Sequence, residues 1–189
     1  MKTDYVEEQA AAQYSSIVRM LAAVECDYDR LTELERAREA LTEAVKDVEA
    51  EYTAAKEDGE AGEQWAELER AREALTQWET DNAEELAELE DAAGECTDED
   101  EARQVIQEDP LEVQVRSDWM NPGETLEAGE FMILLCTGGP AVRIVGELDR
   151  GTPCRAWLEY QDWGTPWTQW FGASSDTLCE YAANFFFGE

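Results

Sequence analysis

No glycine occurs before Gly59 and no proline before Pro110. Up to residue 58 the chain therefore lacks the two residues that most strongly stop a helix. The apolar spacing agrees. Tyr14, Ile17, Leu21, Val24, Tyr28 and Leu31 follow the alternating three- and four-residue steps of a buried helical seam. A second register runs through Leu31, Leu34, Leu41, Val45, Val48, Tyr52 and Ala55, with Arg38 at the one skipped position; this is a heptad pattern. Two successive three-residue steps at 28, 31 and 34 break the register. They predict either a bend near residues 27–31 or the end of one helix and the start of the next.

Asp58-Gly59-Glu60-Ala61-Gly62-Glu63 reads as a turn. A further helical run follows, with Trp65, Leu68, Leu75, Leu86 and Leu89 on one face and Gly94 at its end. The arms, about 28–57 and 64–93, are nearly equal, which predicts an antiparallel hairpin about 45 Å long at ~1.5 Å per residue. The ten residues Glu33 to Thr42 recur unchanged as Glu67 to Thr76. Two copies are too few for a solenoid; they read as two arms built from one helical phrase. Glu35 with Arg38, and Glu69 with Arg72, are spaced for ion pairs within each helix.

Charge divides the chain unevenly. Residues 1–109 carry 34 Asp and Glu against 10 Lys and Arg; residues 110–189 carry 12 against 4. Such an array of carboxylates suits the field of a basic nucleic-acid-binding surface. Two plainer explanations stand beside this one: salt adaptation, which the count of three lysines fits, and a merely solvated helical face. Thr97-Asp98-Glu99-Asp100-Glu101 is the densest acidic run and opens a short helix, with Thr97 as its expected N-cap.

After Pro110 the period changes from about 3.6 residues to 2. Leu111, Val113 and Val115 alternate with polar residues as a half-buried strand; Asn121-Pro122-Gly123 is a turn; Phe131 to Cys136 is a continuous apolar run. Val142, Ile144, Gly146 and Leu148 make a third strand, and Ala156, Leu158 and Tyr160 a fourth. Short links between them predict an antiparallel meander. Ser174-Ser175-Asp176 caps a final helix with Leu178, Tyr181, Ala182 and Phe185 on one face, expected to cover one side of the sheet. Fold class is therefore α+β: a coiled-coil-like acidic helical hairpin over 1–109, then a small antiparallel sheet with a C-terminal helix over 110–189.

Chemistry is sparsely provided. The chain has no histidine, which removes Ser–His and Cys–His nucleophile pairs and His-ligated zinc. The five cysteines are scattered without a CxxC pair and read as reduced thiols. Gly138-Gly139 is followed by a strand rather than a helix, and no lysine lies beyond Lys56, so a hairpin turn fits better than a phosphate loop. No metal site, catalytic residue or cofactor is expected, and the chain is expected not to be an enzyme. No segment has the length and apolarity of a membrane helix or a signal peptide, so the expected compartment is the cytoplasm. Trp163-Gly164-Thr165-Pro166-Trp167-Thr168-Gln169-Trp170-Phe171 is too broken by Gly and Pro to be a strand or helix. It is either a satellite core or a docking patch rich in the residue most favoured at interface hot spots.

Several segments carry a likeness: Asp27-Tyr28-Asp29-Arg30-Leu31, Gln107 to Leu111, Leu135 to Arg143, Tyr160 to Trp167, and the closing Phe187-Gly188-Glu189. On these the chain resembles a family of small acidic accessory proteins encoded on phages, plasmids and integrative elements of bacteria. The resemblance spans most of the chain and is strongest after residue 105. It carries over no functional residue. It implies a context in which inhibitors of host defence, anti-CRISPR and anti-restriction proteins among them, are common, and several of these are acidic DNA mimics.

The functional expectation is a non-enzymatic inhibitor in which carboxylates occupy a basic surface of a host nucleic-acid-binding protein or complex, without direct binding of nucleic acid or membrane. The candidate partner-binding residues are Glu84, Glu85, Glu88 and Glu90, Asp98, Glu99, Asp100 and Glu101, and Trp163, Trp167 and Trp170. The alternative is a coiled-coil interaction or adaptor protein whose acid only solubilises the helices and whose seam could recruit a second copy.

Overall fold

The computed structural model describes residues 3–58, 62–117, 119, 121, 123 and 127–188. Its helices are α1 (Thr3–Glu25), α2 (Tyr28–Asp58), α3 (Gly62–Ala93), α4 (Glu99–Glu108) and α5 (Ser175–Ala182). Its strands are β1 (Glu112–Ser117), β2 (Ala128–Cys136), β3 (Ala141–Asp149), β4 (Thr152–Gln161) and β5 (Thr168–Trp170). The arrangement is α+β, as the change of period indicated.

Two compact units are formed, one from Met1–Glu25 with Glu95–Glu189, the other from Cys26–Gly94. The change of composition at residue 109 is therefore not where the contacts divide. The seam of α1 does not continue into the hairpin: Ile17 and Leu21 are buried in one cluster with Ile106 of α4 and the sheet, and Tyr14 and Val24 pack against it. Counted by unit, each carries 23 acidic and 7 basic residues, a balance of −16. The helical unit spreads this over 69 residues and the sheet unit over 120, so the acid is denser in the hairpin but not confined to it.

In the helical unit, the register break at 28–34 marks a true helix end. Asp27 accepts the Arg30 backbone N–H at 2.9 Å and caps α2. At the far end of α3, Gly94 has φ +60 and its N–H donates to the Glu90 carbonyl, the left-handed C-terminal cap that glycine favours. The turn read over 58–63 falls largely on residues outside those described. The core between α2 and α3 is thin: Leu31, Leu34, Leu86 and Ala93 are buried, with Cys26, Tyr28, Trp78 and Leu89 packed against them. Both copies of the repeated phrase bury the same leucine, Leu34 in one and Leu68 in the other. Trp78 was not among the seam residues expected, although it lies one helical step after Leu75 on the same face.

In the sheet unit, the strands run in the order β1-β2-β3-β4-β5, each pair antiparallel. Among the described residues there are five strands rather than four. Thr168-Gln169-Trp170, placed in a broken segment by its Gly and Pro neighbours, pairs with Leu158 to Tyr160. One sheet face carries Phe131, Ile133, Leu135, Val142, Ile144, Ala156 and Leu158, and α1, α4 and α5 supply Ile17, Ile106, Leu178 and Tyr181 to the same core. Helix α5 thus helps to cover one side of the sheet, as its apolar face indicated.

The half-buried reading of β1 fails. Val113 pairs with Ile133 and Val115 with Phe131, which sets both valines on the core side, yet they remain 39% and 50% exposed. The alternation was read correctly, but among the described residues nothing covers this end of the sheet.

Tyr181 is wholly buried, and its hydroxyl donates to Asp109 Oδ2 at 2.6 Å just past the end of α4. Burial first, then the Asp109 carboxylate, hold the phenol far above its usual range. A hydrogen bond to a charged partner is worth about 1.5–3 kcal/mol. Tyr181→Phe is expected to destabilise the protein by about 2 kcal/mol in urea unfolding.

Candidate functional site

The candidate acids fall into two sets that the fold treats differently. On α3, Glu84 and Glu88 lie one turn apart and share a helical face with Asp81 and Asp91, all exposed. Asp81 and Asp91 were missed; the spacing 81, 84, 88, 91 was legible as a polar stripe at helical period. Glu85 points elsewhere. Arg30 holds it in a fork, Nε to Oε1 at 2.7 Å and one terminal nitrogen to Oε2 at 2.8 Å, and also reaches Glu33 at 2.9 Å. The Arg30 hydrogen bond keeps the Glu85 carboxyl below the usual glutamate range. Its contribution to stability is full above the usual glutamate pKa and is lost as pH falls through the lower, folded value. Glu90 sits on the flank of the seam, in a shallow groove with Arg38, Trp78 and Leu86.

Arg38 and Arg72 do not pair with Glu35 and Glu69 of their own helices. Arg38 meets Glu79 at 3.6 Å and Arg72 meets Glu49 at 2.7 Å, each across to the other helix. With Arg30–Glu85 they form three staples beside the seam, the position that flanking charges take in coiled coils. Equivalent residues of the two repeat copies thus do equivalent work. These are exposed pairs, worth little each. Among 23 acids and 7 bases, repulsion outweighs them. Raising sodium chloride from low ionic strength to about 0.1 M, where charges are screened beyond ~10 Å, is expected to raise the thermal midpoint of the helical unit. An unchanged or lower midpoint would show instead that the staples dominate.

At α4 the run Asp98 to Glu101 is mostly spent on the helix itself. The N-cap is Asp98, not Thr97: its carboxylate accepts the Glu101 backbone N–H at 2.8 Å. Glu101 reaches back and accepts both the backbone N–H and the hydroxyl of Thr97, each at 2.8 Å. These bonds, the backbone one first, hold its carboxyl below the usual range. The box is shifted by one residue because Glu101, four positions on, can reach both donors of Thr97. Glu99 pairs with Arg103 at 2.6 Å. Only Asp100 of this set has no side-chain partner among the described residues. Glu84, Glu88 and Glu90 share that condition in the other unit.

The tryptophans separate as well. Trp170 faces the core beside Tyr14, ring centroids 5.7 Å apart. Trp167 is half-buried, and the Arg143 guanidinium lies 4.1 Å from its ring centroid while also pairing with Glu159 at 2.7 Å. Trp163 is 81% exposed. The cluster is therefore neither all core nor all patch. Phe171, at 85% exposure, stands out beside it.

Burial raises the thiols of Cys26, Cys136 and Cys179 above their usual range, so these three are not activated nucleophiles. Among the described residues no group of three or more Cys, Asp and Glu is placed to hold a metal, and no helix is long and apolar enough to cross a membrane. A groove of about 460 Å³ lies between the end of β1 and the chain terminus, lined by Val115, Ser117, Ala128, Arg150 and Phe187. No family model, curated protein or solved structure matches the chain.

Proposed function

We propose that this chain is a non-enzymatic inhibitor of a host nucleic-acid-targeting defence system, CRISPR or restriction, acting as an acidic mimic that occupies a basic surface. The observation that carries the reading is the linear charge of the helical unit. Helices of 31 and 32 residues span about 47 Å at ~1.5 Å per residue. Duplex DNA of that length carries about 28 charges at one per ~1.7 Å. The unit offers a balance of −16, and among its described residues no charged side chain is buried; this is more than half the density of a duplex. The defence context rests on the family resemblance alone.

Exposed Trp163 and Phe171 favour a second reading, an interaction or adaptor protein docked through aromatic contacts. The helical seam supports this less, because α2 already spends its seam on α3.

Capture from a bacterial lysate on the immobilised chain, read by mass spectrometry, tests the choice. The mimic should retain basic nucleic-acid-binding proteins, released by salt. An adaptor should retain partners without that chemistry, held through high salt. The chain itself should give no gel shift with DNA or RNA at low salt.

A further inference from the structure

We infer that β1 pairs with β1 of a second copy, antiparallel and centred on Gln114, to make a weak dimer with one continuous ten-stranded sheet. Among the described residues strand β1 ends the sheet, and Glu112 to Arg116 are all exposed. The opposite edge, β5, is only three residues long, a common protection of an edge. Strand β1 is six residues long, and the register slip next to it belongs to the extra residue Gly129 of β2, so β1 itself is regular. Unprotected regular edges pair with other strands.

The sequence of the edge selects a second copy as occupant, because it is self-complementary about its centre. In an antiparallel pairing centred on Gln114, Glu112 of each chain faces Arg116 of the other. Val113 faces Val115, so four exposed valines become two cross-strand pairs on the core side, where they continue the Ile133 and Phe131 rows. Leu111, 59% exposed, comes to lie opposite Ser117, at the groove lined by Val115, Ser117 and Phe187. One register thus serves the charges, the valines and the leucine together. Cross-strand pairs of opposite charge stabilise a sheet, and like charges directly opposite destabilise it. The interface is small and both copies are acidic, so the dimer is expected at high concentration and with long-range repulsion screened.

The test uses sedimentation velocity of the full chain near 100 µM in about 0.3 M sodium chloride. Wild type should dimerise. Arg116→Glu and Glu112→Arg, each alone, set like charges opposite one another and should weaken the dimer by about tenfold or more. Mixed in equal amounts the two variants are complementary and should form a heterodimer. The double variant Glu112→Arg/Arg116→Glu should regain wild-type dimerisation. Arg116 also pairs with Glu130 in its own chain. Arg116→Glu and the double variant lose that pair equally, so their difference reads the contact between copies, and circular dichroism verifies that each is folded. A monomeric wild type, single variants that dimerise like wild type, or a double variant that stays monomeric overturns the proposal.

Discussion

Trp170→Ala is expected to destabilise the sheet unit by about 3 kcal/mol, while Trp163→Ala changes stability by less than ~0.5 kcal/mol. Trp170 packs with Tyr14 on the side of the sheet that carries Ile144 and Leu158, and truncation leaves a cavity that such a core only partly closes. The figure is the lower end for tryptophan because Trp170 is half-buried. Trp163 has little to lose, being 81% exposed. Urea unfolding of both variants checks this. Equal costs would mean that the cluster acts as one packed body. Loss of partner binding in a folded Trp163→Ala chain would favour the adaptor reading.

The second large effect is on binding. Glu84→Gln, Glu88→Gln, Glu90→Gln and Asp100→Asn together remove only acids with no side-chain partner among the described residues. Folding should be unaffected or slightly improved, since self-repulsion falls. Affinity for the partner of a mimic should drop about a hundredfold or more, because close charge pairs across an interface can be worth ~1.5 kcal/mol or more each. The remaining binding should depend less on salt, since fewer charges meet. The matching control neutralises Glu85, Asp98, Glu99 and Glu101. Those acids staple the hairpin and cap α4, so that variant should lose stability. Isothermal titration at two salt concentrations separates the two sets.

What was legible in the sequence followed from local rules. Apolar steps of three and four residues, with no Gly or Pro up to residue 58 to stop them, indicated helix; the 28–34 register break marked a helix end; and period-2 alternation in three segments with one continuous apolar run indicated four of the five described strands. What was not legible depended on partners distant in sequence. Nothing in the spacing of Arg38 and Arg72 distinguishes a pair within one helix from a pair across two, and the fold chose the latter. The seam of α1 looked like that of α2, yet one packs on a sheet and the other on a helix. Leu111, Val113 and Val115 promised burial, but alternation records a preference for a face and cannot say whether a neighbour covers it. For the candidate site the position of each acid was readable and its duty was not: Glu85, Asp98, Glu99 and Glu101 are tied to their own chain, whereas Glu84, Glu88, Glu90 and Asp100 have no side-chain partner among the described residues. The exposed Trp163 and the core Trp170 differ through pairing with β4 and through α1, neither of which the nine residues from Trp163 to Phe171 contain.

The most direct test of the mimic is competition at the partner. A labelled duplex, or the partner's own guide or substrate nucleic acid, is bound to the captured protein and the chain is titrated in. Complete displacement is expected, with an apparent affinity that falls steeply as salt rises and that the Glu84, Glu88, Glu90 and Asp100 neutralisation weakens by about a hundredfold or more. A ternary complex, in which partner, nucleic acid and chain bind together without mutual loss, would contradict it.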